Sequence, residues 1–297
     1  MMDANALRRN LRAVEETRQI TNAMFLLSTS RMKRCMQQVE YNKTYVRRIR
    51  AAVRDILEKM PEYRGHGLFH RRGEEKRAAS GVRAYLILTS DKGMCGAYNT
   101  AVVDAALAAV GKGDDCLIEV AGLTGIDLLR EHGVTPDVEW FIPAVEPALY
   151  YARQIGEHLV DLYRRGYIDE VNVIYTEYEN SVRQTVKTQR LLPLSLDDFE
   201  GVQTECSYSG EMLYEPDVHS VFENLMLQYT VCMVHELINL SLASEHCARR
   251  NAMQSATDNA DGMLRQLTTR CNQARQLAIT SEITEIAAAA ELMQKAI

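Results

Sequence analysis

Residues 11–60, LRAVEETRQITNAMFLLSTSRMKRCMQQVEYNKTYVRRIRAAVRDILEKM, decide the fold. Read in alternating steps of four and three from Leu7, the chain places Leu7, Leu11, Val14, Arg18, Thr21, Phe25, Ser28, Met32, Cys35, Val39, Asn42, Val46, Ile49, Val53, Ile56 and Met60 on one seam. Twelve of these sixteen are apolar, and Pro61 ends the run. A heptad repeat held this long predicts a coiled-coil helix, roughly 85 Å long at 1.5 Å per residue.

A helix with one apolar seam needs a partner, and the other end of the chain offers one. All six prolines and fifteen of the sixteen glycines fall between 61 and 216, so both termini can run as unbroken helix. After Pro216, Asp217 is a candidate N-cap. A second seam follows through Met253, Thr257, Ala260, Leu264, Leu267, Cys271, Ala274 and Ala278. Upstream the stripe moves to Met233, Leu237, Leu240, Ala243 and Cys247, a change of register that reads as a stutter. Gly262 alone interrupts this arm. The intervening chain must leave one helix and return along the other, so the expected pairing is antiparallel.

The middle, 61–216, has a different grammar. Val82–Thr89 is a near-continuous apolar run, as in a strand buried on both faces. Helix at 97–110, strand at 116–121, helix at 123–132, a short strand at 138–142, helix at 147–165 and strands at 170–175 and 185–192 complete an alternation that implies an α/β sheet with helices on its faces. Residues 64–81 and 200–215 read as loops. The expected organisation is thus 1–60 helix, 61–216 α/β domain of Rossmann-like type, and 217–297 helix.

Charge is uneven. Residues 1–60 carry net +7, 61–216 net −10 and 217–297 net −3. The basic band Arg8, Arg9, Arg12, Arg18, Arg31, Lys33 and Arg34 suits either a solvated face or an acidic partner. Interleaved aromatics and a recognisable nucleic-acid module are both lacking. Seven widely spaced cysteines without a CxxC or zinc spacing suggest reduced thiols. No unbroken run of 18 apolar residues exists, and Arg8, Arg9 and Arg12 interrupt any signal-peptide core.

One motif invites a chemical reading. Ser90-Asp91-Lys92-Gly93-Met94-Cys95-Gly96-Ala97-Tyr98-Asn99 follows the first strand and opens a helix, where a glycine-rich turn can cradle phosphate. It matches neither GxxxxGK[ST] nor GxGxxG, and the structural alternative is a tight strand-to-helix turn. His235-Glu236 lacks the second histidine of HExxH, Cys95 has no histidine nearby in sequence, and Glu245 and His246 read as packing or surface groups. Three readings stay open on the residues alone: a long two-helix shaft with no active site, an α/β enzyme with a coiled-coil oligomerisation arm, and a coiled-coil scaffold or nucleic-acid adaptor using the basic band.

The chain resembles the gamma subunit of F-type ATP synthases. The family's T-x-x-I-T-x-A-M and T-S-K-M segments stand here as Thr17, Ile20, Thr21, Ala23, Met24 and Thr29-Ser30-Arg31-Met32. Its S-D-R-G-L-C-G stands as Ser90 to Gly96. Ala243-Ser244-Glu245-His246, Ala248-Arg249, Ala256-Thr257-Asp258-Asn259-Ala260, Ala274-Arg275-Gln276, Ala278-Ile279-Thr280 and Glu282-Ile283 keep step with its C-terminus. The resemblance implies a central-stalk rotor with no catalytic site, cofactor or metal of its own. Its implied partners are the alpha and beta subunits of the alpha3beta3 ring, the epsilon subunit and the c-subunit ring. It implies no nucleic acid, and membrane contact only through the complex on the cytoplasmic face of a bacterial plasma membrane. By motif position, Arg275, Gln276, Thr280 and Glu282 correspond to residues that meet beta catch loops. Met24 and Arg249 correspond to positions tied to coupling, Cys95 lies in a turn that faces acidic beta loops, and Arg8 and Arg9 belong to the basic band.

Overall fold

The computed structural model describes residues 4–69, 81–110, 115–142, 148–181, 183–200 and 213–295. The helices are α1 (Ala4–Lys59), α2 (Tyr98–Ala109), α3 (Leu123–Glu131), α4 (Ala148–Arg165) and α5 (Val218–Lys295). The strands are β1 (Arg83–Leu88), β2 (Cys116–Ala121), β3 (Val138–Trp140), β4 (Glu170–Tyr178) and β5 (Gln184–Leu192). Every expected element is present, most within a residue or two of its expected bounds; β4 runs three residues further and β3 ends two earlier. The expected loops at 64–81 and 200–215 fall mostly outside the described residues. Two compact units result, one of Met1–Ser28 with Arg250–Ile297 and one of Thr29–Arg249.

In the larger unit the strands form one sheet in the order β3-β2-β1-β4-β5. The first four are mutually parallel, and β5 returns antiparallel to β4. The order 3-2-1-4 is that of a doubly wound fold. Strand alternation sends Tyr85 and Ile87 of β1 toward α2 and α3, where they join Val102, Val103, Ile126 and Leu129. Ala84, Leu86 and Leu88 face the opposite side, with Ile155 and Leu159 of α4, Val53 and Ile56 of α1, and Phe222 and Met226 of α5. Each such aliphatic side chain, removed from water, contributes about 1.5–3 kcal/mol.

Here α5 is buried on more than one face. Cys232, Val234, Leu237, Ile238, Ala243 and Cys247 are all inside. The change of stripe upstream of Met253 coincides with this burial. By length and composition α5 is also apolar enough to cross a membrane, although it holds no unbroken run of 18 apolar residues; 61% of its most apolar stretch is buried within the protein, so these residues serve the core. Asp217 caps α5 as expected, its Oδ1 accepting from Ser220 N–H at 2.8 Å. Asn42, a polar residue on the seam, donates from Nδ2 to the Cys232 carbonyl at 3.0 Å and so keeps its buried amide satisfied.

In the smaller unit α1 and α5 pair along their seams. Thr21 Oγ1 meets Thr257 Oγ1 at 2.8 Å, and Arg18 Nε donates to Asp261 at 2.6 Å. Partners fall on α5 as they rise on α1, so the pairing is antiparallel. Along the whole of α1, every one of the sixteen seam positions is buried or half-buried. On α5 the seam holds from Met253 to Ala274, but Ala278 is exposed. Antiparallel pairing at equal rise puts Ala4 level with roughly residue 275, so α1 has no described residue left to cover Ala278.

Candidate functional site

The turn between β1 and α2 sits at the C-terminal end of the sheet, at the point between β1 and β4 where the strand order reverses. Open α/β sheets bind ligands in that crevice. Ser90 and Asn99 brace the turn: Ser90 N–H donates to Asn99 Oδ1 at 3.0 Å, and Asn99 Nδ2 donates to Ser90 Oγ at 2.8 Å. Met94 takes a left-handed backbone (φ 61°) and leaves its side chain 60% exposed, and Gly96 follows at φ 60°.

α5 fills the crevice. Ser241 Oγ meets the Tyr98 hydroxyl at 2.7 Å, Ser244 Oγ donates to the Thr176 carbonyl of β4 at 2.9 Å, and Cys247 Sγ lies 3.5 Å from the Ser181 carbonyl. Arg249 closes the arrangement. Its Nη1 pairs with Glu245 at 2.5 Å, Nη2 donates to the carbonyls of Lys92 (2.8 Å) and Gly93 (3.2 Å), and Nε donates to Gly93 at 3.3 Å. A phosphate cradle presents N–H groups to its ligand. This turn presents carbonyls to a guanidinium, so its geometry is that of a clamp.

The electrostatics agree. Glu245 is buried, which pushes its carboxyl up against the opposing pull of Arg249. Burial pushes the Cys95 thiol up, with Ser90 and Arg249 working against it, and leaves it poorly suited to nucleophilic attack. His246, 4% exposed, is pushed down to about 4 by burial and by the charges of Arg249 and Arg31. It therefore folds neutral, and its contribution is complete above pH 6.5 and lost as pH falls toward 4. Glu245 acts in the opposite sense, because its burial penalty relaxes on protonation. The expected result is that the stability difference between wild type and His246→Gln shrinks by about 2–3 kcal/mol between pH 7 and pH 4.5. Urea unfolding at the two pH values measures it, and an unchanged difference would remove this role for His246.

Of the residues singled out in sequence, Cys95 and Arg249 come together in this cluster. Arg8, Arg9 and Met24 lie on α1, the arginines exposed and Met24 half-buried. Arg275, Gln276, Thr280 and Glu282 lie exposed on α5 in the smaller unit. Arg18 of the basic band is engaged within the chain by Glu15 and Asp261. Sequence reading quoted Ser90, Asn99 and Ser244 within motifs without giving them a role of their own, and passed over Ser241. The i,i+4 spacing of Glu245 and Arg249 was a usable signal for the clamp.

The model of the family described as ATP synthase matches residues 3–293. The ATP synthase gamma chain of Symbiobacterium thermophilum is 35% identical over 290 residues, 97% of this chain and 98% of that one. The gamma chain of Acetivibrio thermocellus is 33% identical over 299 residues, covering 99% and 100%. Among solved structures, a chain of the Euglena gracilis mitochondrial ATP synthase (OSCP, F1 and c-ring) aligns at TM-score 0.65 and 16% identity, covering 98% of this chain and 94% of that chain. One of the Tetrahymena thermophila central stalk and c-ring aligns at 0.58 and 21%, covering 80% and 99%. With a family match over residues 3–293 and relatives 33–35% identical over nearly the whole chain, the chain belongs to the ATP synthase gamma-chain family.

Proposed function

We propose that this chain is the central-stalk rotor of an ATP synthase, a subunit without an active site that carries rotation of the c ring to the catalytic sites of an alpha3beta3 ring. The observation that carries the reading is the antiparallel pairing of the two terminal helices, seen at Thr21 with Thr257 and Arg18 with Asp261, in a chain of this family. In this reading 1–60 and 217–297 are the helical arms, 61–216 is the α/β domain, and the complex sits on the cytoplasmic face of a bacterial plasma membrane. Epsilon and the c ring are the further partners.

An asymmetric shaft changes a site's state only through contacts that differ between states. Inverting a 1:99 equilibrium needs about 5.5 kcal/mol. Ile279, Ile283 and Ile286 lie at i, i+4 and i+7 on α5 and are exposed, so they offer apolar area to a ring. Arg275, Gln276, Thr280 and Glu282 flank them as polar contacts, and Arg8, Arg9 and Met24 contribute from α1. Cys95 and Arg249 are buried, so their part is to hold the turn whose exposed Met94 meets the partner. Reconstituting the complex with and without the chain tests the reading. Ion-driven ATP synthesis is expected only with it, and the pure chain should hydrolyse no ATP. Synthesis that persists without the chain would end the proposal.

A further inference from the structure

One fully buried carboxylate takes no part in the clamp. Glu119, in the middle of β2, is 0% exposed. Its neighbours Ile118 and Val120 pack toward α2 and α3, so alternation turns Glu119 to the α4 side. There Trp140 Nε1 donates to its Oε2 at 2.7 Å. Its Oε1 lies 3.2 Å from His158 Nε2 of α4; this is ion-pair distance, yet neither atom makes an aligned hydrogen bond. The indole and imidazole rings meet edge-on at 5.6 Å. The His158 side chain is 36% exposed, so its ring meets solvent on one side while its Nε2 and Glu119 are sealed together on the other.

The surroundings are otherwise sparse in charge. Across β2, the β1 neighbour of Glu119 is Leu86. Asp137, just before β3, pushes the carboxyl further up, adding to the push of burial, while Trp140 and His158 pull it down. Glu139 sits beside Val120 on the other face and pairs with Arg130 of α3. β3 is the outermost strand, three residues long and paired only with β2. So short an edge has few ladder bonds of its own, and the Trp140 indole in this cluster is its main side-chain anchor on the α4 side.

We propose that Glu119 and His158 share one proton, and that with Trp140 they form a latch that holds the edge strand β3 against α4 and releases it as pH rises. With the proton present, the buried carboxylate either faces a cation or is itself neutral. Once it is lost, a full negative charge stays in an apolar interior with a single indole N–H, which is unfavourable unless water enters. Entry of water means displacing Trp140, and with it β3. The sign follows from the raised carboxyl: stability held at low pH is lost as pH rises through the titration of the pair.

Trp140 is the only tryptophan in the chain, so its emission reports on this cluster alone. Fluorescence of the full chain is followed from about pH 5 to 9, with hydrogen exchange of residues 138–142 measured alongside. Protonated imidazole quenches indole, so one step is expected in which emission rises and moves to the red. Protection of 138–142, corrected for the intrinsic pH effect, should fall about tenfold for each unit by which the pair's proton affinity differs between closed and open forms. Glu119→Gln keeps the acceptor for Trp140 without the charge and should stay protected across the range. His158→Gln leaves Glu119 to hold the proton alone, so its protection should still fall as pH rises, but without the emission rise that loss of an imidazolium gives. A merely structural role would weaken both variants alike. A wild-type chain with no step in emission and constant protection, or the same loss of protection in Glu119→Gln, overturns the latch. Should Glu119→Gln not fold, the wild-type titration and His158→Gln still decide it.

Discussion

Arg249→Ala is expected to destabilise the chain by about 3–5 kcal/mol, because it strips a buried carboxylate of its partner and removes the donors to the Gly93 carbonyl, while Ser90 Oγ still serves that of Lys92. Glu245 would remain sealed with no cation, and the carbonyls of Lys92 and Gly93 would lose the three donations that now hold them. The loss should be unequal between the parts of the clamp. In Arg249→Ala with Glu245→Gln the buried charge is gone, so part of the cost should return; the guanidinium donations to the Gly93 carbonyl stay lost, so not all of it should. Denaturant unfolding of the four species of this cycle measures the coupling. If the double variant is as unstable as the sum of the singles, the ion pair is not the seat of the effect. In the assembled complex, the same substitution should free the turn that presents Met94 and loosen coupling before it lowers ATP hydrolysis.

Gly122→Ala should be comparably damaging for an unrelated reason. Gly122 leaves β2 with φ +112°, a region unfavourable to any side chain, and a Cβ there would lie 2.5 Å from the backbone oxygen of Thr89. A backbone carbonyl cannot rotate away, and Thr89 N–H is itself bonded to Ala121 at 2.8 Å, so the β1 end would have to move. The expected cost is about 3 kcal/mol or more, with poor recovery of folded protein. Gly125 gives a contrast, because its added Cβ would meet the Thr89 side chain, with Oγ1 at 2.2 Å. Gly125→Ala should therefore improve when Thr89 is shortened to alanine, and Gly122→Ala should not. Gly262, in α5, has nothing within 4 Å of its added Cβ. Gly262→Ala should stabilise by about 0.5–1 kcal/mol. Thermal melts of the variants separate these outcomes.

Much of the fold was legible because its strongest signals are local. Pro61 follows the end of α1 and Pro216 precedes the start of α5, and the seam from Leu7 to Met60 needs only the spacing of apolar residues to be seen. The sheet elements were legible for the same reason: runs such as 83–88 are buried on both faces and leave little ambiguity. Polar seam positions looked like flaws until their partners were known. Thr21 meets Thr257, and Asn42 spends its amide on the Cys232 carbonyl. Such pairings depend on which residues of a distant segment lie opposite, and no periodicity in one segment encodes that. The same limit explains the clamp. Arg249 stood out by resemblance, but its carbonyl partners lie more than 150 positions earlier, and a glycine-rich turn gives no hint whether N–H or C=O groups will point inward. Glu119 left no mark at all, being one acidic residue in a short apolar strand, although its burial beside His158 sets it apart from every solvated carboxylate around it.

The plugged crevice between β1 and β4 has a consequence for regulation. A doubly wound sheet is a common receptor for nucleotides, and a chain that works beside nucleotide-processing sites would be open to interference if it kept that receptor vacant. With Ser241, Ser244, Cys247 and Arg249 wedged into the place, adenine nucleotides have no seat there to occupy. In the role proposed above, a signal of ATP supply would reach the chain through contacts on its helices rather than through a nucleotide seated in its sheet.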